Sequence, residues 1–116
     1  MIREIYDLLY RLGINATYKG FFHASYATLL ATENLERLLL VTKWLYPEVA
    51  KKYHTTPECV ERNIRTVAAV AWRNNPELLR EITRCQLSDQ STAAQFVAIL
   101  ATYLAYSVEG VCNEQA

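Results

Sequence analysis

Between Thr56 and Pro76 the chain has little choice but to form one long helix. Thr56 offers a side-chain oxygen to free helical N–H groups, and Pro57 stands where no N–H is needed. At the other end Asn75 precedes Pro76 and is pushed out of helical geometry. Between these stops, Val60, Ile64, Val67, Ala68 and Ala71 fall on one side of a 3.6-residue wheel, with Trp72 at its edge. Glu58, Arg62, Arg65, Ala69 and Arg73 fall on the other, flanked by Glu61 and Thr66. The pattern predicts an amphipathic helix from Pro57 to about Arg73 or Asn74.

The residues just before it read as a second, shorter helix. Pro47 to Tyr53 places Val49, Ala50 and Tyr53 inward, and a polar His-Thr-Thr turn follows. Together they predict a helix-turn-helix over about residues 47–73, a unit that sets its second helix in a DNA major groove. His54 occupies a position where many such units have Gly. Arg62 and Arg65 suit the O6/N7 edge of guanine, and Glu61 can accept from a cytosine amino group. Thr55 and Thr56, with the free N–H groups of the helix start, suit a phosphate. A plain solvated helix would show the same outer face, and Glu61 to Arg65 is also an ordinary i,i+4 ion pair.

The remaining chain is helical by the same test. Ile2 to Leu12 carries Ile5, Leu8, Leu9 and Leu12 at helical spacing, with Gly13 as a left-handed terminator. Helices are predicted over Lys19 or Gly20 to Ala31, over Leu35 to Leu45, over Glu77 to Cys85 and over Thr92 to about Val108. The Thr32-Glu33-Asn34 cluster caps the third of these in chain order, and a loop is expected at Leu87 to Ser91. No segment alternates as a strand does. With three Gly, three Pro and about half its 116 residues apolar, the chain reads as one all-α domain over 1–116, a compact bundle of about six helices.

Charge tempers the DNA reading. Twelve basic and twelve acidic residues cancel, whereas DNA binders usually carry a basic excess. The excess is local: Lys43 to Arg84 holds eight Lys/Arg against five Asp/Glu, while Cys85 onward holds three acids and no base. Cys59, Cys85 and Cys112 lack zinc-site spacing and read as reduced thiols of a cytoplasmic protein. The uncharged run Gln90 to Val108 is interrupted by polar residues and reads as a core or dimer-contact helix rather than a membrane span. His23 and His54 stand away from Cys and carboxylates in sequence. No nucleophile–base pair and no Gly-rich phosphate loop is visible, so no enzyme, metal or cofactor is expected.

The segment LYPEVAKKYHTTPECVERNIRTVAAVAW resembles the effector domain of the stage-zero sporulation response regulators of endospore-forming Firmicutes. INATYKGFFHASYATLL is similar to that family's early KGY-type helix, TKWLYPEVAKKY to its TK-x-LYP signature, and AAQFVAILATYL to its final helix. The resemblance implies an all-helical DNA-binding transcription regulator acting on TGTCGAA-like boxes, often as head-to-tail pairs. It places base reading in the VER.IR stretch, at Glu61, Arg62 and Arg65. Glu58 stands where the family usually has a small hydroxyl residue, and Thr66 where it often has His. Both belong to the same reading face. The family couples this domain to a phosphorylatable receiver, for which 116 residues leave no room. Its usual lysine-bearing connection before the last helix is here the acid-containing QLSDQSTA.

The expected site therefore comprises Glu61, Arg62, Arg65, Glu58 and Thr66 toward bases, and Thr55, Thr56, Lys43, Lys52 and Arg73 toward phosphates. Double-stranded DNA is the expected partner, with a homodimer or tandem dimer on DNA, RNA polymerase and a full-length regulator as further candidates. The competing reading is a protein-interaction module of the same fold that has lost strong DNA binding and contacts a full-length regulator through the uncharged last helix. Neutral charge, Glu58 and the missing lysines motivate it.

Overall fold

The end of the first helix shows how local chemistry sets the frame. In the computed structural model, which describes residues 1–83 and 92–109 (side chains as far as 106), helix α1 spans Ile2–Arg11. Gly13 follows at φ +90°, its N–H bonding Tyr10 O while the Ile14 N–H bonds Leu9 O. This paired arrangement is a Schellman stop, and it needs a residue that tolerates positive φ. A side chain at Gly13 would also strike Asn74, whose Nδ2 donates to Gly13 O at 3.0 Å. Asn75 Nδ2 donates to Arg11 O at 2.9 Å. Two amides thus fasten the far end of the Thr56-capped helix to the end of α1.

Helix α2 covers Lys19–Glu33 and runs through the middle of the bundle, packed against α5 (Pro57–Asn74) and α7 (Ala93–Glu109). Its inner residues are mostly small. Ala24, Ala27 and Ala31 are fully buried, which lets the neighbouring helices approach closely. Phe21 supplies the bulk, stacking on Tyr6 of α1. Around this axis lie Ile5, Leu8 and Leu9 of α1, Val60, Ile64 and Val67 of α5, and Phe96, Val97 and Leu100 of α7.

The predicted helix over Leu35 to Leu45 is corrected. Leu35–Leu40 forms a 3-10 helix, with Asn34 Oδ1 accepting from Glu36 N, and only Val41–Trp44 (α3) is α-helical. Leu35, Leu38, Val41 and Trp44 recur every third residue, the period at which side chains eclipse in a 3-10 helix. None of the side chains from Leu35 to Trp44 is fully buried, and Leu39 is 77% exposed.

Helix α4 spans Tyr46–Lys52 and α6 spans Pro76–Thr83. Asn75 caps α6 through Oδ1 to Leu78 N at 3.2 Å, so α6 starts at Pro76, one residue before the predicted Glu77. Its predicted end at Cys85 and the loop at Leu87 to Ser91 lie outside the described residues. Thr92 and Gln95 open α7 with a reciprocal capping box: Thr92 Oγ1 accepts from Gln95 N, and Gln95 Oε1 from Thr92 N. Among the described residues there is no strand, and no helix is long and apolar enough to cross a membrane. Helix α7, without a charged residue from Ala93 to Val108, turns Phe96, Val97, Leu100, Ala101 and Leu104 into the core.

Candidate nucleic-acid interface

Helix α4 and helix α5 meet through a turn built around His54. Its φ of 56° is left-handed, and Thr55 N reaches back to Ala50 O at 2.9 Å. The α4 end is therefore a second Schellman-type stop, with His54 in the conformation that Gly would adopt most easily. Thr56 then caps α5, its Oγ1 accepting from Cys59 N at 3.1 Å. Buried Val49 and Ala50 pack α4 onto α5, and Val60, Ile64, Val67, Ala68 and Ala71 are buried as the wheel predicts. Val70 is buried as well, because α5 is gripped on its flank and not only on its back.

The predicted reading face is free. Glu58, Arg62, Arg65, Thr66 and Arg73 are exposed, and Glu61 is partly so. Thr55, Thr56, Glu58, Glu61, Arg62, Arg65 and Thr66 come together on the first three turns of α5 and the turn before it. Arg73 lies about 16 Å farther along the axis than Arg62, so it stands apart from them. Lys43 sits on α3 with its Nζ 6.0 Å from the Trp44 ring centroid. Lys52, at the end of α4, lies over Tyr26 at 5.1 Å and Tyr53 at 5.7 Å, yet its side chain is exposed.

The two arginines differ electrostatically. Arg65 Nη1 lies 2.8 and 2.9 Å from the two carboxylate oxygens of Glu61. Glu61 also faces α4, where burial, followed by the Glu61 charge, pushes the Tyr46 phenol up to about 12. Arg62 pairs with no carboxylate among the described residues. It lies instead beside Cys59, whose thiol is held below its ordinary range first by a hydrogen bond from Thr55 and then by one from Arg62.

Three residues that the wheel did not single out belong to this environment. Cys59 sits between the cap and Arg62. Asn63 lies about 100° around the helix from Arg62, on the flank facing α2. Its Nδ2 is 3.5 Å from Cys59 Sγ and 3.3 Å from Nδ1 of His23, forty positions earlier in the chain. The local hint was Gly20, one turn before His23: a side chain there would collide with the Asn63 carbonyl and with Val67. Among the described residues no three metal-ligating side chains gather.

A helix-turn-helix that keeps the arginine face of its second helix clear of its own core has the architecture of an all-helical DNA-binding domain. Residues 5–104 match the family described as Sporulation initiation factor Spo0A C terminal. The chain belongs to that family. It is an effector domain of the sporulation-regulator type, a class of DNA-binding regulators rather than of enzymes.

Proposed function

We propose that this chain is a sequence-specific transcriptional regulator that lays α5 in the major groove of a TGTCGAA-like box. The observation that carries the reading is the exposed Arg62 guanidinium, beside a Thr56-capped helix start and paired with no carboxylate among the described residues. Arg62 reads a guanine edge, and Arg65 reads a second base once Glu61 releases or shares it. Glu61 accepts from a cytosine amino group or orients Arg65, while Glu58 and Thr66 border the same face. Thr55, Thr56, Lys43 and Lys52 hold phosphates, with Arg73 reaching a more distant one. Residues 1–116 act as one cytoplasmic DNA-binding unit, with a second copy in tandem and RNA polymerase as further partners. Fluorescence anisotropy with a TGTCGAA-box duplex and a scrambled duplex, each at two salt concentrations, tests it. Tighter binding to the box is expected, and equal, negligible binding to both would refute it.

A second reading has its own support. The Glu61–Arg65 pair cancels half of the arginine charge on the reading face. Most apolar residues of α7 turn inward, Tyr106 excepted, and exposed apolar surface gathers on Leu35, Leu39, Leu40 and Trp44. They adjoin an open cleft of ≈ 370 Å³ lined by Asn34, Glu36, Arg37, Lys43, Trp44 and Glu48. In this reading the domain contacts a full-length regulator of the same family through residues 35–44 and modulates it. The absence of duplex binding in the same experiment would favour this account.

A further inference from the structure

His23 is an unusual neighbour for a DNA-reading helix. It is 6% exposed, and its only hydrogen-bond partner among the described residues is the Asn63 amide. The site is built from three elements. Gly20 and His23 of α2 press on Asn63 of α5 through main chain and side chain respectively, and Tyr53, just after α4, packs its ring 5.2 Å from the imidazole. Asn63 is thus the point at which α2 grips the half of α5 that carries Arg62.

The orientation of the Asn63 amide depends on the protonation state of the imidazole. The Asn63 amide nitrogen approaches both His23 Nδ1 and Cys59 Sγ, so it serves as donor to both and needs Nδ1 as an acceptor. Only the neutral imidazole provides one. The groups facing His23 do nothing to favour a charge. Lys19 lies on its own helix, Lys52 at the end of α4 with Tyr53 just after it, and Asn63 and Cys59 on α5. Tyr6 of α1 and Tyr26 of α2 reach the cluster through Tyr53, and the described side chains of α7 carry no charge. Among the described residues no carboxylate pairs with the ring. Burial first, and Lys19 second, lower its proton affinity.

Building on the DNA-binding reading above, we propose that His23 is a positioning residue for the recognition helix, and that its protonation turns the Asn63 amide away from Cys59 and weakens DNA binding. Protonation turns Nδ1 into a donor that faces a donor. The Asn63 amide must then turn over, withdrawing its N–H from Cys59, next to Arg62. DNA affinity falls as a result, although added positive charge alone would raise it.

The test uses the full chain and its His23→Gln variant, whose side-chain carbonyl can still accept from Asn63 but does not titrate. Anisotropy with a TGTCGAA-box duplex is measured near pH 7.5 and one pH unit below the His23 midpoint found by NMR, at constant ionic strength. Relative to His23→Gln, the parent is expected to lose about fivefold in affinity on acidification, the worth of roughly one hydrogen bond. In parallel, NMR of the DNA-free parent follows the His23 ring and the Asn63 side-chain amide. Both are expected to move together, with a midpoint below the ordinary 6.5. The NMR measurement decides the matter even if the variant folds poorly. An Asn63 amide that stays still while His23 titrates overturns the proposal, as does an identical pH profile for two proteins that both bind near pH 7.5. Absence of duplex binding by the parent near pH 7.5 is a different result: it refutes the DNA-binding reading itself.

Discussion

Glu61 clasps Arg65, with Nη1 2.8 Å and 2.9 Å from the two carboxylate oxygens, on the face of α5 that is free of the core. Both side chains are partly solvated, at 36% and 50% exposure, so the pair adds only about 0.3–0.5 kcal/mol to folding. Its consequence is for binding. Glu61→Gln frees a guanidinium and removes a charge that repels phosphate. Affinity for scrambled duplex should rise and its salt slope steepen, while the box-to-scrambled ratio falls. Anisotropy over a salt series checks this; an unchanged ratio would remove Glu61 from base reading.

Arg62 and Lys52 separate specificity from general attraction. Arg62→Ala should cost about 1–3 kcal/mol of box affinity and blunt sequence preference. Lys52→Ala should weaken binding to all duplexes alike and flatten the salt slope, because a phosphate contact carries no base information. It also removes an ammonium from the Tyr26 and Tyr53 rings, at a stability cost of about 0.5–1 kcal/mol. If both variants bind box and scrambled duplex as the parent does, the docking face lies elsewhere.

What the residues disclosed in advance follows a physical division. Both ends of α5 were legible because Thr56, Pro57, Asn75 and Pro76 act on their immediate neighbours, and the exposed arginines were legible because a wheel needs only periodicity. The 35–44 segment was misjudged because leucines at a period of three resemble a helical stripe until the burial of each is known. His23 and Asn63 were opaque for another reason. They are forty positions apart and meet only once Gly20 lets α2 and α5 close on each other. Gly20, one turn before His23, is the single local mark, and it does not name its partner across the helices.

Thr56 gives a test of the fold at the same place as the function. Its hydroxyl satisfies Cys59 N and leaves the backbone of the first turn set toward the proposed phosphate. Thr56→Ala should cost about 1 kcal/mol of stability, and Thr56→Ser much less. Urea unfolding followed by circular dichroism checks this. Equal midpoints for the parent and Thr56→Ala would mean that water replaces the cap without loss.

Gly13 joins two helix ends, and its replacement separates backbone strain from packing. Gly13→Ala forces a side chain into a positive-φ position and against Asn74. The left-handed backbone alone costs about 1–2 kcal/mol. Displacing Asn74 adds the loss of its bond to Gly13 O. The double variant Gly13→Ala with Asn74→Ala should therefore lose less than the sum of the two single variants. Strict additivity in urea midpoints would show that the two sites act independently.

Acid should destabilise this protein in two separate steps. The His23 proton affinity is lower in the folded state than in the unfolded chain, chiefly through burial. Between the folded value and the ordinary 6.5 the unfolded chain binds the extra proton, so stability rises with pH across that interval. The His23 contribution is complete above 6.5, declines as pH falls from there, and levels off below the folded value. Glu4 acts in a lower window. A backbone hydrogen bond, with the N-terminal ammonium, holds its carboxyl below 4.5, so its contribution persists until pH falls beneath that value. Urea midpoints measured from pH 8 to pH 3 should show the first decline in the parent and not in His23→Gln, and the second in both. A first decline that survives His23→Gln would assign the proton to another group.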